Sequence, residues 1–199
     1  MATQINFFEN VPGGLSYRPE LIVQKEESEL VTHVSKLPFR EFEFHGFLGK
    51  RRVVSFGWKY DYSGRALQKA DPLPRFLFDL RARAAEFADL DTDAFEQALV
   101  TEYRPGSGIG WHRDKPEFGD VVGISLLSPC LLRFRRKIGQ VNSRSNWERI
   151  NVNVEPRSAY HLTGPARWEW YHSILRVDAL RYAITFRSVK SETVITSQR

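Results

Sequence analysis

The chain has 199 residues, 42% of them apolar and 27% charged, with a net charge of +5 at pH 7. That length suits one well-cored domain and is short for two; the composition gives no argument for disorder or a fibre. No apolar run approaches the ~20 residues of a membrane span, and Met1 to Asn10 lack the charged-then-apolar pattern of a secretory signal. The single cysteine, Cys130, excludes an intramolecular disulfide and a Cys-rich zinc site. A cytoplasmic monomer without membrane attachment is the default expectation. The basic balance favours an anionic partner, and a polyanion gains most from counterion release at such a surface.

Taken in chain order, residues 1–20 carry Pro12, Gly13, Gly14 and Pro19 and read as an irregular start. Leu30, Val31, Val34 and Leu37 recur at helical spacing, which predicts a helix over 28–37. It stops at Pro38, since proline disfavours helix in the residue before it. A second helix is predicted over 74–88, with Phe76, Leu77, Leu80, Ala84 and Phe87 on one face and Arg75, Arg81 and Arg83 mostly turned away. Beyond residue 96, short β-prone runs alternate with turn residues: 98–103, 121–127, 131–137, 150–154, 159–162, 168–175 and 180–189. Residues 139–149, with Trp147, read as a polar loop or hairpin exposing one tryptophan. The predicted architecture is α+β, mainly β: a double-sheet jelly roll supported by two N-terminal helices. Within a single domain, 1–96 would serve as helical support and substrate recognition and 97–190 as the catalytic core.

The segment Trp111-His112-Arg113-Asp114 sets an imidazole and a carboxylate two residues apart. In a strand, residues i and i+2 project to one side, so both can reach one metal ion. Alone this pattern is weak, because most copies are solvated surface groups and iron requires a third ligand with open positions. His161 and His172 are the candidates for it. His172 is favoured by its surroundings. If 176–179 forms a turn, Ile174 pairs with Arg181 and His172 with Ala183, and Arg181, Ala183, Thr185 and Arg187 share the face of His172. Arginines buried there need an anionic partner. A dicarboxylate chelating the metal would supply one, with a guanidinium forked onto its far carboxylate. The Gly-rich stretch 105–110 lacks the Gly-Lys-Ser/Thr of a phosphate loop. Cys130 reads as a small buried hydrophobe, and His33 and His45 as structural.

The string Tyr103-Arg104-Pro105-Gly106, His112-Arg113-Asp114, His172 and Arg181-Tyr182-Ala183-Ile184-Thr185-Phe186-Arg187 resembles the AlkB-type dioxygenases. That family's pattern is Tyr-x-Pro-Gly, His-x-Asp, a distant His and Arg-x5-Arg, and the likeness spans roughly 98–189. It implies a jelly-roll core, Fe(II) and 2-oxoglutarate. His112, Asp114 and His172 would be the metal ligands. Arg181 would meet the far carboxylate of 2-oxoglutarate, Arg187 would lie near its metal end, and Tyr103 would offer a phenol hydrogen bond. The implied reaction consumes O2 and 2-oxoglutarate, yields succinate and CO2, and hydroxylates a C–H bond; on an N-methyl group this releases formaldehyde.

The first half resembles the family more loosely, through 51–57 and 60–64. Phe56, Trp58 and Tyr60 alternate and are expected on one face, where they would stack a flipped base. Arg51, Arg52, Lys59, Arg133, Arg135, Arg136 and Lys137 are candidates for phosphate contacts. The acidic residue that repair members place near the base aligns with Pro116, and Glu117 follows it. The sequence also carries Thr101 and Ala183 where many repair members have asparagine. The expected function is oxidative dealkylation of N-alkylated bases in DNA or RNA. The alternatives are hydroxylation or demethylation of a modified tRNA base or a protein side chain, and, in another class, a non-enzymatic nucleic-acid-binding module.

Overall fold

The computed structural model describes residues 11–44, 47–141 and 144–190, so His45 lies outside the described residues. In chain order the elements are β1 (Leu15–Arg18), α1 (Gln24–Val34), β2 (Arg40–Phe44), β3 (Phe47–Phe56), β4 (Trp58–Asp61) and β5 (Ala66–Lys69). A 3-10 turn (Arg75–Leu77) then leads into α2 (Phe78–Ala88), and β6 (Phe95–Tyr103), β7 (Ile109–His112) and β8 (Phe118–Leu126) follow. The chain closes with β9 (Cys130–Val141), β10 (Arg144–Val154), β11 (Ala159–Leu162), α3 (Gly164–Trp168), β12 (Tyr171–Ile174) and β13 (Arg181–Val189).

Among the described residues, seven strands form one sheet in the order β1-β11-β8-β13-β6-β3-β2, and four form a second in the order β10-β9-β12-β7. Helices α1 and α2 cover the outer face of the larger sheet. Leu30, Val34, Leu80 and Ala84 pack there with Val100, Ile124, Ile184 and Phe186, each large side chain contributing roughly 1.5–3 kcal/mol by leaving water. A second core fills the space between the sheets, from Val121, Tyr160, Leu162 and Ala183 on one side and Leu132, Phe134 and Ile174 on the other. The period-two alternation of β13 serves both layers: Tyr182, Ile184 and Phe186 face the helices, and the odd-numbered residues face the smaller sheet.

Several expectations need correction. Helix α1 starts at Gln24, earlier than the apolar spacing implied, because Glu26 accepts a hydrogen bond from the Val23 N–H at 2.9 Å and fixes the first turn. The front half is not only helical support. It contributes β1, β2 and β3 to the large sheet, where Arg52 forks onto Glu102 of β6 with two 2.8 Å hydrogen bonds. Of residues 139–149, 139–141 and 144–149 continue the β9–β10 ladder, and Trp147 pairs with Lys137 and packs edge-on to Tyr171. The strand predicted over 168–175 is shortened by α3, whose Pro165 sits in the first turn, where a missing N–H is harmless.

The largest correction concerns the predicted turn at 176–179. Strands β12 and β13 do not pair; they belong to opposite sheets. Residues between them cross the sandwich, held by Gly106 N–H to the Val177 carbonyl (2.8 Å) and Val177 N–H to the Ser107 carbonyl (2.9 Å). Gly108 permits this crossing, since a Cβ there would stand 2.7 Å from the Ile174 carbonyl oxygen. His172 therefore pairs with His112 and Phe134, and Arg181 with Tyr103.

Candidate active site

The smaller sheet brings the three proposed ligands together. His112 ends β7 and lies opposite His172 in the β12 register, with ring centres 4.3 Å apart. Asp114, two residues beyond in the following loop, places Oδ2 3.5 Å from His172 Nε2. The Gly110 carbonyl lies 2.9 Å from His112 Nδ1, which assigns the proton to Nδ1 and leaves the Nε2 lone pair available. Burial lowers the pKa of His112, and burial together with the neighbouring His112 pulls that of His172 down to about 3. Burial pushes the Asp114 carboxyl up, but Arg187, His172 and His112 outweigh it and hold the group well below its usual range. At neutral pH the set is two neutral imidazoles and one carboxylate, the protonation state that ligation of a divalent transition metal requires.

As they stand, no three donor groups among the described residues are arranged to hold a metal ion. Arg187 holds the carboxylate of this set. Its Nε and Nη2 lie 2.9 and 2.7 Å from Asp114 Oδ1, while Nη1 donates to Gln97 Oε1 at 3.0 Å. The carboxylate is thus tethered to the larger sheet, with Oδ2 left facing the histidines. The donor types fit an iron centre.

Arg181 is the other unusual group. It is 0% exposed, its Nε donates to Ser125 Oγ at 3.0 Å, and its guanidinium lies 5.1 Å from the Tyr103 ring centre. Both Nη1 and Nη2 are buried without a hydrogen-bond partner. A buried charge lacking its partner costs about 3–5 kcal/mol, and a carboxylate fits these two nitrogens in a bidentate fork. Tyr103 lines the same cavity as the two histidines and Asp114.

Residues 14–187 match the 2OG-Fe(II) oxygenase superfamily. The chain belongs to that superfamily. Fe(II) and 2-oxoglutarate are the cofactor and cosubstrate that membership implies. The chain is 27% identical to the "Alkylated DNA repair protein ALKBH8 homolog" of Arabidopsis thaliana over 92% of its own length and 60% of that protein. It is 28% identical to the mouse "tRNA (carboxymethyluridine(34)-5-O)-methyltransferase ALKBH8" over 83% of this chain and 25% of the relative, so it spans only part of both. With mouse "Alpha-ketoglutarate-dependent dioxygenase alkB homolog 7, mitochondrial" it shares 29% identity over 79% of this chain and 66% of the relative. The solved structure of OsALKBH1 superposes with a TM-score of 0.61 at 17% identity, over 90% of this chain and 98% of that one, which shows the AlkB-like jelly-roll fold.

In this oxygenase the site opens into a cavity of about 1020 Å³, also lined by Arg51, Tyr60, Tyr62, Lys115 and Pro116. Arg51 stacks 3.8 Å above the Phe42 ring and forms no ion pair among the described residues. Its pKa is lowered by burial, against the opposing pull of Tyr103 and Tyr62. The Lys115 ammonium lies 4.4 Å from the Tyr60 ring centre and 4.8 Å from that of Tyr62.

Three expected substrate residues, Phe56, Trp58 and Glu117, do not line the cavity. Phe56 is buried in the helix-side core, and Trp58 is buried with Leu67 and Phe118, its indole N–H donating to Glu96 at 3.3 Å. Gly57, at φ +73°, breaks the chain before β4 and takes Phe56 out of the row, whereas Trp58 and Tyr60 keep a shared face in β4, with Tyr60 packed on the cluster that buries Trp58. Glu117 does not line the cavity; its Oε2 is buried without a partner, and its charge joins burial in raising the Tyr60 phenol pKa. His161 takes no part in the site: it bonds to Asp120 at 2.9 Å and packs near Phe87 on the helix side.

Sequence reasoning missed Arg167. Buried in α3, it donates to the backbone carbonyls of Gly119 (2.8 Å), Lys115 (2.6 Å), Phe118 (2.7 Å) and Asp114 (3.3 Å), clamping the loop that carries the Asp114 carboxylate. Its only signal was a charge inside a run otherwise suited to burial. Gln97, which anchors Arg187 and donates to the Trp58 carbonyl, carried no signal at all.

Proposed function

We propose that this chain is the catalytic domain of an oxidative dealkylase of nucleobases in DNA or RNA, acting as a cytoplasmic monomer. His112, Asp114 and His172 would hold Fe(II), Arg181 would fork onto the far carboxylate of 2-oxoglutarate, and Tyr103 would add a phenol hydrogen bond. Bound Fe(II) and 2-oxoglutarate supply the oxidising equivalents from O2. For each N-methyl group, one 2-oxoglutarate and one O2 are consumed, and the N–H base, formaldehyde, succinate and CO2 are formed. Around that chemistry the chain's own groups orient and protect. The Gly110 carbonyl sets the His112 tautomer, Arg187 keeps Asp114 ionised and aimed, and the apolar walls at Phe118, Leu132 and Ile174 keep the pocket dry.

The observation that carries this reading is the fully buried Arg181, with two unpartnered nitrogens and its guanidinium 5.1 Å from the ring of Tyr103, which lines the cavity shared by His112, Asp114 and His172. The relatives' names, an alkylated-DNA repair protein and a tRNA methyltransferase, point to nucleic acid as the substrate class. No helix of the described chain is long and apolar enough to cross a membrane.

A second reading, a modified tRNA base, is favoured by Arg51. A cation stands in the cavity and Pro116 lines its wall, a setting that suits a base presenting a carbonyl or carboxylate over a cationic N-methyl base. The experiment is succinate and formaldehyde release by anaerobically iron-loaded protein, with strands carrying N-methylated bases or modified uridines and Asp114→Ala as the blank. Both products should rise with a modified strand. Succinate that ignores every nucleic acid yet vanishes in the blank would refute the nucleobase assignment.

A further inference from the structure

The outer face of the four-stranded sheet carries a charge pattern that the cavity does not use. Along β9, Leu132 and Phe134 are buried between the sheets, so Arg133, Arg135 and Lys137 alternate to the outside. In the register, Trp147, Arg149 and Asn151 of β10 stand opposite Lys137, Arg135 and Arg133. On the other side, Tyr171 and Ser173 of β12 stand opposite Arg135 and Arg133. Trp111 and Arg113 complete the row. The Arg135 guanidinium lies 4.5 Å from the ring centres of both Trp111 and Trp147, Arg133 lies 4.8 Å from Trp111, and Arg113 lies 4.7 Å from Tyr171.

None of these outward positions is acidic. Among the described residues, none of Arg113, Arg133, Arg135, Lys137 and Arg149 stands in an ion pair. Arg136, their neighbour on β9, is by contrast paired with both Glu148 and Glu169. Arg149 directly opposite Arg135 is a like-charge cross-strand pair, which weakens a ladder. Arg135 Nε is buried with no hydrogen-bond partner. Solubility alone calls for interspersed signs, so this face carries an electrostatic cost that an anionic partner would offset.

We infer that this face binds the phosphodiester backbone of single-stranded nucleic acid, carrying the nucleotides that flank the one held in the cavity. Guanidinium planes laid against indole and phenol rings are already oriented, so little side-chain freedom is lost on meeting phosphates. The indole and phenol rings between them add aromatic surface that any base can stack on, the combination found in single-strand binders. Trp111 and Arg113 also line the cavity, so a strand whose nucleotide enters it leaves along this sheet. That path rests on the nucleobase reading above; binding of the strand itself does not.

The test is fluorescence anisotropy of short, unmodified, labelled RNA and DNA strands against salt, for the full chain and for the Lys137→Glu/Arg149→Glu double variant. Both positions are exposed, and the new carboxylate at 149 would face Arg135, so the melting temperature should hold. Affinity should fall about tenfold or more, with a log–log salt slope shallower by roughly 1.4, about 0.7 for each phosphate no longer neutralised. Affinity and slope within twofold of the parent would overturn the inference, as would binding of phosphatidylserine vesicles in preference to strands. Abolished strand binding in a protein whose succinate output never responds to modified strands would sink the dealkylase reading and leave this face standing. Turnover on modified strands at limiting concentration that ignores both charge reversals would do the opposite.

Discussion

Replacing Arg181 by methionine separates two effects that an ordinary core substitution would join. In the ligand-free protein the side chain makes one side-chain hydrogen bond, Nε to Ser125 Oγ at 3.0 Å, and leaves both outer nitrogens unpaired at 0% exposure. Losing that bond costs about 1 kcal/mol. Removing the uncompensated cation for an apolar group of similar length returns roughly 1–4 kcal/mol. Arg181→Met should therefore melt at or above the parent's temperature. With the cosubstrate the sign reverses, because a bidentate charge-assisted interaction worth about 3–5 kcal/mol is gone. At 1.4 kcal/mol per decade this raises the 2-oxoglutarate Kd by two to three and a half decades, roughly 10²-fold to several thousand-fold. Thermal melts with Mn(II), with and without 2-oxoglutarate, read both quantities. At 100 times its Kd the ligand stabilises the parent by about 2.7 kcal/mol, and the variant should show no shift at that concentration. A ligand-free variant that melts several degrees lower, with the parental 2-oxoglutarate shift intact, would refute the reasoning.

Three further outcomes are expected. Arg51→Glu should raise the ratio of formaldehyde released from cationic N1-methyladenine strands to that from neutral N3-methyluracil strands by about tenfold, since a 1.4 kcal/mol change in charge preference is one decade; an unchanged ratio would remove Arg51 from substrate choice. Arg167→Ala leaves carbonyls of the Asp114 loop without their donor, at about 1–3 kcal/mol for a buried group. Fe(II) affinity measured by equilibrium dialysis should fall with it, and unaltered affinity would show that the clamp does not position Asp114. Burial pushes the Glu102 carboxyl up, but hydrogen bonds and charge from Arg52 and Arg104 hold it below its usual 4.5. That contribution to stability is fully present above pH 4.5 and is lost as pH falls through the depressed folded value. Glu102→Gln should therefore lower the melting temperature at pH 7 and flatten its fall below pH 4.5, and parallel pH curves would contradict the assignment.

The inward placement of Arg181 and Arg187 was legible because it depends only on the alternation of their own strand. The partner of that strand was not, because partner choice depends on the path of the loop before it. Nothing in Leu175-Arg176-Val177-Asp178-Ala179-Leu180 distinguishes a turn from a crossing, and the bonds from Val177 to Gly106 and Ser107 that decide it are between distant backbone groups. His172 was singled out through a pairing with β13 that does not form; it meets His112 because β7 and β12 are neighbours in the smaller sheet, a pairing that no local pattern announces. The front strands were masked by charge. Arg40-Glu41-Phe42-Glu43-Phe44 alternates, but no continuous apolar face announces it. Gly57 shows the reverse error, since the pattern through Phe56, Trp58 and Tyr60 was real in sequence and interrupted in space by one residue at positive φ.

The site is divided between two layers. His112 and His172 come from adjacent strands of the smaller sheet, joined by their own ladder. Arg181, Arg187 and Tyr103 come from the larger sheet. The spacing between the two sets is maintained by the Arg187–Asp114 contact and by the core between the sheets, where Leu132 is 1% exposed and pairs with Ile174 on β12. Leu132→Ala should cost about 2–5 kcal/mol of stability. It should also act unevenly on function. The histidine pair moves as one sheet and keeps its geometry, so Mn(II) affinity should stay within a factor of about two. In the proposed binding mode the cosubstrate bridges both sheets, and a misplacement of about 1 Å between them is enough to cost about 10²-fold in turnover. Metal affinity and 2-oxoglutarate turnover that decline in step would mean that the two sheets do not hold separate halves of the site.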